Sequence, residues 1–497
     1  MGWFFFVTLL LSLSIAGLVR PWIGVVGAYG FVLLQPQAIW FWNFDGLRPA
    51  LWILLPTLTG FLSAAVRGKY ALRAVANRRN AYMLTLWTFF GMSYLFGEYV
   101  DGASPYRFTD PGWAMESVSK MLLLYFVACL SIDSEKKLRA LSWVLVGASV
   151  YLVYWANAQY LSGYVMGRLQ GPVGPNEPGT YSDENAFALI FVVSQPFLWH
   201  MGLAANNRLL RWAMWLAIPF AWHAVFLTAS RGALVGLVVV TGLMALRSRL
   251  RLLGLALVPA FVIAYQWQAG DLMKSRADTI DEFRTETSAA TRLEAWEAAT
   301  GMIAAHPIVG VGLASFGVAF PDFSDAQPRE AHNTFFQIAA ESGAIAGAMY
   351  LFLMLGAIAA LWRNGRRLAV RDGPGHHGYL HAMNEATLAA LVGLAICSLF
   401  LSLQLYEIVY LFLAMASVLL FIAEGELPSA ASASGRPVPA RRPNAENAGA
   451  GRRVGPSSGL NPSIALRNGG SAAKHRLAGR RTALGNFHGS SHGARKR

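Results

Sequence analysis

Thirteen apolar runs, each long enough or nearly long enough to cross a bilayer, confine this chain to a small set of folds. They lie near residues 3–18, 22–41, 50–66, 81–97, 115–131, 138–160, 183–203, 208–228, 231–247, 249–268, 334–362, 382–402 and 404–424. A hydrocarbon core of about 30 Å takes roughly 20 apolar residues as a helix, because lipid offers the backbone no hydrogen bonds. The expected fold class is therefore an all-α polytopic membrane protein with about 12 transmembrane helices. Both 12 and 13 stay open, since only Arg20-Pro21 separates the first two runs. The balance of 55% hydrophobic and 14% charged residues belongs to the same class. The N-terminus lacks a basic segment before its apolar run, so residues 3–18 read as a membrane element and not a cleaved signal. Cys129 and Cys397 fall inside apolar runs and read as small hydrophobes.

A net charge of +14 invites a nucleic-acid partner, and its distribution argues against one. Residues 425–497 hold 13 Lys and Arg against 2 Asp and Glu, so +11 of the +14 sits in that tail. The tail is rich in Gly, Ala, Ser, Pro and Arg without an apolar period. Disorder is expected there, with a role in holding the C-terminus on the cytoplasmic side, resting on anionic membrane lipids.

Short basic loops give the orientation. "RGKYALRAVANRR" (67–79), "DSEKKLR" (133–139), "NNRLLR" (206–211), "RSRLR" (247–251) and "RNGRRLAVR" (363–371) alternate with loops poorer in Lys and Arg. The positive-inside rule places all five in the cytoplasm with the tail. Residues 98–114, 162–182 and the long stretch Ala269–His332 then lie outside. The last falls between the tenth and eleventh candidate spans, and a loop of 64 residues is long enough to expect function in it. Four regions follow: membrane helices over 1–268, an outer helical loop over 269–333, membrane helices over 334–424, and the tail over 425–497.

One charge breaks the apolar pattern. Between Trp212 and Leu246 lie 35 residues among which Arg231 is the only fixed charge. An arginine at the centre of a membrane helix costs roughly 2.5–3.5 kcal/mol on insertion scales. Two spans joined by a tight turn remove that cost, and "TASRG" is the turn, on the outer side. Ser230 is the expected N-cap of a helix that starts at Arg231. Two readings of the arginine stand at this point: an anion site at the positive end of a helix dipole, or a side chain reaching headgroup phosphates.

Three pieces of the outer loop carry further signals. "TRLEAWEAATGMIAAHP" (291–307) reads as an amphipathic helix with Leu293, Trp296, Thr300 and Ile303 on one stripe, ending before Pro307. Arg292 either borders that stripe, pointing back to the membrane, or is a solvated surface residue. "PIVGVGLASFG" (307–317) lacks the spacing of a nucleotide loop, and close backbone packing accounts for its glycines. "PREAHNTFFQIAAESGAIAGAMYLFLMLGAIAALW" (328–362) reads as one long helix entering from outside. Asn333, Gln337 and Glu341, four apart, share a face, with Glu341 some two turns below the interface. His332 stands at the mouth of this helix beside Arg329, as a cap, a surface residue or a proton acceptor.

Arginines at the outer rim and one imidazole suit a particular reaction. Paired guanidinium groups bind phosphate oxygens bidentately, and histidine takes protons near pH 7. Transfer of a group from a lipid diphosphate to a hydroxyl needs both. No haem or cluster ligand pattern points to a redox cofactor. A metal-dependent transferase would need clustered carboxylates, for which "DFSD" (Asp322, Asp325) is the best candidate, so no metal or cofactor is expected.

At these residues the chain resembles a known family. "ASRGALVGL", "RLEAWEAATGMIAAHPIVGVGLASF" and "HNTFFQIAAESGAIAG", in that order and spacing, resemble the O-antigen ligase and O-antigen polymerase superfamily over roughly residues 165–360. "RPWIGVVGAYGFVLLQPQAIWFW" (20–42) resembles the O-glycosylation branch of ligase-like proteins. "GRLQGPVGPNEPGTYSDENAFAL" (167–189) resembles the outer segment before the next helix, and supplies Arg168 and Asn185.

The resemblance implies a metal-independent, inverting membrane glycosyltransferase of the GT-C type in a bacterial inner membrane, active at the periplasmic face. The donor would be undecaprenyl-diphosphate-linked O-antigen and the acceptor a sugar of lipid A–core, which is a step of lipopolysaccharide biosynthesis. By its motifs Arg231, Arg292 and His332 become the catalytic candidates. Arg168 and Arg329, with Asn333, Gln337, Glu341 and Asn185, become candidates for binding diphosphate or sugar, and for Glu341 and Gln337 orienting the histidine or pairing with an arginine are the alternatives. A polymerase or a protein O-glycosylation ligase would share the donor site and differ in acceptor. A transporter or flippase for lipid-linked sugars is the rival from another class; its usual internal repeats and midplane site find no counterpart here.

Overall fold

Helices account for all of the regular structure among the described residues. The computed structural model describes residues 2–44, 49–102, 110–164, 167–174, 180–248, 250–278, 287–372 and 378–426. In chain order they form α1 (Gly2–Val19), α2 (Pro21–Leu34), the single turns α3 (Pro36–Ile39) and α4 (Phe41–Phe44), α5 (Pro49–Val66) and α6 (Arg78–Phe96). Next come α7 (Pro111–Ser131), α8 (Glu135–Leu161), α9 (Glu184–Ala204), α10 (Arg208–Thr228), α11 (Arg231–Arg247), α12 (Arg251–Gln268) and α13 (Asp271–Asp278). The chain continues with α14 (Thr287–Ala305), the short α15 (Phe316–Ala319), α16 (Thr334–Ser342), α17 (Ala344–Asp372), α18 (Tyr379–Cys397) and α19 (Glu407–Glu426). The expected tail from residue 427 onward lies outside the described residues.

Eight of these helices, α5, α7, α8, α9, α10, α17, α18 and α19, are long and apolar enough to cross a membrane by themselves. The protein is a polytopic membrane protein. The sequence count of 12 to 13 also took in α1, α2, α6, α11 and α12. Of these, α12 and α13 form a broken pair bent by 118°. The run 22–41 is not one helix: α2 stops at Leu34, Gln35 turns left-handed with φ 49°, and Pro36 starts α3. At 14 residues α2 reaches about 21 Å.

The strip from Arg20 to Pro21 does divide two helices, as proline at a first helical position should.

Burial sorts the spans into centre and rim. The most apolar stretch of α9 is wholly enclosed by protein, and those of α18 and α19 are 83% buried, against 33% for α5. The core is thus α9, α18 and α19, with α10 and α11 packed against α9. Gln195 of α9 is paired inside it: its amide donates to Thr241 (3.1 Å) and accepts from the Trp222 indole (2.6 Å). At one end of α11, Arg247 binds Glu385 of α18 bidentately and lies over Trp362 at 4.3 Å. That end is fixed, and the opposite end carries Arg231.

A second, smaller core is built from the loop. Ala295, Ala298, Ala299 and Met302 of α14 pack with Val311, Phe316, Phe320, Ala331 and Ala340. The buried face of α14 therefore differs from the expected stripe. Trp296 and Ile303 border it, Leu293 is half-buried and Thr300 is exposed, donating to its own helix at Trp296 O (2.8 Å). Alanines replace larger side chains there because α14 approaches α16 closely.

Candidate active site

The turn between α10 and α11 is the first component. Ala229 ends α10 in a left-handed conformation (φ 49°), and the Ser230 hydroxyl caps α11 by accepting from Ala233 N (3.3 Å). Arg231 is the first residue of α11, as its sequence predicts. The free carbonyl groups at the end of α10 carry partial negative charge and draw cations and donors. Arg168 Nε donates to Thr228 O (3.0 Å), Leu169 N to Leu227 O (2.9 Å), and Arg276 Nε to Ala229 O (3.0 Å). Three arginines thus converge on residues 227–231. No motif points to Arg276, which arrives only because α13 folds back after the 118° bend.

The first turn of α9 links this cluster to the second. Arg168 also donates to Asn185 Oδ1 (2.9 Å) and lies 3.3 Å from Glu184, so Asn185 orients an arginine. Its neighbour Asp183 caps α9 by accepting from Ala186 N (2.8 Å), and its charge reaches both His332 and Glu330. Asp183, Glu184 and Glu330 were not among the expected site residues. The Asp183 cap was readable in "SDENAF", but its approach to His332 is a tertiary event.

His332 is the centre of the second component. Its backbone is left-handed (φ 47°), a conformation that histidine tolerates better than most residues and that still stores strain of about 1–3 kcal/mol. Asn333 follows as the N-cap of α16 and accepts from Phe335 N (3.0 Å) and Phe336 N (3.3 Å). Crowding by protein lowers the imidazole below its ordinary basicity; Arg292 and Arg329 lower it further, and Asp183 opposes them. Neutral imidazole is the form that can accept a proton. Arg329 is held at 3.5 Å from Glu294, and the Trp296 indole donates to Ala331 O (2.9 Å) while stacking on Phe336. The helix bearing Arg292 is thereby tied to the residue before His332. Glu330 is exposed; nearby protein and the Asp183 charge push its carboxyl up, and a hydrogen bond with Ser402 opposes them.

Gln337 and Glu341 share a face, as their spacing predicts, on a shorter helix than expected. The long helix of 328–362 is two helices, broken at Gly343 (φ 90°), so both residues belong to the short α16 and not to a span. Each is 2% exposed and turned to protein partners. The turn 307–312 grips the end of α16: Val311 N donates to Ala340 O (2.9 Å) and Gly312 N to Glu341 O (3.1 Å). Gly310 is required there, because its φ is +71° and a Cβ would lie 2.2 Å from the Glu341 backbone. Close backbone packing is the expected role of these glycines. Burial pushes the Glu341 carboxyl up to about 7.

Two clusters of arginine, a neutral-biased histidine and the carboxylate-bearing start of α9 therefore meet at one end of the bundle. Such a site can hold a polyanion and remove a proton nearby. Asp322 accepts from the Tyr99 hydroxyl (2.8 Å), and among the described residues no group of three His, Cys, Asp or Glu side chains is placed for a metal ion. Residues 213–351 match a family model described as O-antigen ligase, which supports membership of that family. The match includes Arg231, Arg292, Arg329 and His332 and leaves out Arg168 and Asn185. No curated protein and no solved structure matches the chain.

Proposed function

We propose, with the 213–351 match as premise, that this chain is a glycosyltransferase of the O-antigen ligase family. It moves a glycan from undecaprenyl diphosphate to a sugar hydroxyl of lipid A–core, without a metal, at the periplasmic face of the inner membrane. The observation that carries the reading is His332, held in a strained backbone and kept neutral beside Arg292 and Arg329.

Arg231 and Arg292, with Arg168, Arg276 and Arg329 nearby, hold the donor diphosphate. A sugar hydroxyl is too weak an acid to ionise beforehand, so its proton passes to His332 while its oxygen attacks the anomeric carbon. The new C–O bond forms opposite the leaving group, inverting that carbon. The old C–O bond breaks with its electron pair on the undecaprenyl diphosphate. Arginines stabilise the charge gathering there, an effect for which removal of one donor costs about 10²–10³ in rate.

A strain lacking this protein, complemented with wild type or His332→Ala, tests the reading on a lipopolysaccharide gel. The expected result is loss of the O-antigen ladder, restored by wild type only, with undecaprenyl-linked polymer accumulating. An intact ladder in the deleted strain overturns the lipid A–core assignment and moves the acceptor to protein or another glycan. Collapse to one repeat per core makes the chain a polymerase, and rescue by His332→Ala removes the histidine's role.

A further inference from the structure

His332 stands between Ala331 and the N-cap Asn333 on a backbone that few non-glycine residues adopt, so neighbouring groups must hold it. Gln337 supplies the nearest restraint. Its Oε1 accepts from Ala331 N (2.8 Å) and from the Ser402 hydroxyl (3.1 Å), so one amide oxygen fixes the residue before His332 and a residue between α18 and α19. An amide can do this only with its nitrogen turned the other way, where a buried N–H needs an acceptor. Glu341 Oε1 is that acceptor, at 2.7 Å.

Glu341 is itself immobilised from three sides. The same Oε1 takes Phe316 N (3.4 Å), and Ala314 donates to its carboxyl from the backbone. Its main-chain oxygen accepts from Ser93 of α6 (2.6 Å) and from Gly312 N. A continuous chain of bonds thus runs from α6 and the 310–316 turn through Glu341 and Gln337 to the amide of Ala331, the residue before His332.

We propose that Glu341 is a positioning residue for the transfer: its carboxyl sets the orientation of the Gln337 amide, which holds the Ala331–His332 backbone where the imidazole meets the acceptor hydroxyl. The proposal rests on the role given to His332 above. Glu341 touches neither substrate and acts through Gln337. A glutamine in its place keeps an acceptor oxygen for the Gln337 N–H, whereas alanine or leucine leaves that N–H without a partner.

The full-length protein in liposomes, supplied with undecaprenyl-diphosphate-linked glycan and lipid A–core, provides the test. Glu341→Ala and Gln337→Leu are expected to lower kcat by about 10²-fold, the effect of a misplacement near 1 Å, with KM for the donor within twofold of wild type. Glu341→Gln is expected to recover most of kcat. The double variant Glu341→Ala with Gln337→Leu should be no worse than the poorer single one, because both act on one chain of bonds. Monodisperse elution and the unfolding temperature identify a variant that has failed to fold; Gln337→Leu serves if Glu341→Ala does.

Wild-type kcat in a folded Glu341→Ala or Gln337→Leu overturns the proposal, and so does a Glu341→Gln as slow as the alanine variant. A donor KM that rises while kcat holds would return these residues to ligand binding and also overturn it. His332→Ala separates the two levels. If it is inactive while Glu341→Ala and Gln337→Leu keep full kcat, the positioning role alone fails. If it is active, the reading of the site itself fails.

Discussion

The basicity of His332 is set by neighbours of both signs, and single substitutions should move it in opposite directions. Its ordinary value of 6.5 is lowered by enclosure, by Arg292 and by Arg329, and raised by Asp183. The rate needs the neutral form, so it falls as pH drops through the lowered value, and transfer should persist below pH 6.5. Replacing Arg329 with Gln removes a repelling cation, so the acidic limb of the kcat profile should shift to higher pH. Asp183→Asn removes the opposing carboxylate and should shift it lower, while asparagine still caps α9. Profiles of the two variants that coincide with wild type would show that His332 does not control the limb. At this scale the sequence was informative about residue types and silent about neighbours. Arg231 at a capped helix start followed from "TASRG" alone, since caps are local. Arg276 and Asp183 meet the site only through a bend and a helix packing that no short motif encodes.

The end of α16 and the 307–312 turn are joined backbone to backbone. Gly310 and Gly343 both have positive φ, and each faces backbone of the other segment: a Cβ on Gly343 would lie 2.1 Å from Ile308 O. Gly310→Ala should therefore destabilise the protein by about 2 kcal/mol or more, combining a strained φ with a clash against backbone that cannot rotate away. A fall of several degrees in unfolding temperature checks this; an unchanged value would mean the turn can move off α16. Gly343 also explains why 328–362 read as a single helix. An isolated glycine inside an apolar, helix-forming stretch is a weak stop signal, and helical periodicity continues on both sides of it. The four-residue spacing of Asn333, Gln337 and Glu341 was legible, but what that face meets was not. On α14 the expected stripe followed side-chain size, whereas close approach to α16 selected the alanines.

Across the whole molecule, the basic loops and the candidate site lie at positions that the chain's alternation should put on opposite sides of the membrane. In intact cells with a permeable outer membrane, Asp325→Cys should react with a membrane-impermeant maleimide, and Lys136→Cys only after lysis; both native positions are exposed. The native cysteines are buried and should not compete. Labelling of Lys136→Cys before lysis would invert the orientation and remove the periplasmic assignment. The helical class was legible because length and apolar content leave lipid few alternatives. The number of spans was less so, since α1, α2, α6, α11 and α12 fall short by length or composition.

The enclosure of α9 bears on how the chain is made. Its main partner α18 begins at Tyr379, whereas α9 ends at Ala204. At synthesis rates of 5–20 residues per second, roughly 10–35 s pass between them. Throughout that interval a helix destined for full burial waits with the side that meets α18 uncovered. Its assembly is completed only by the last helices to leave the ribosome. Nascent chains arrested before residue 379 should therefore be the targets of membrane quality control, however well their individual helices insert.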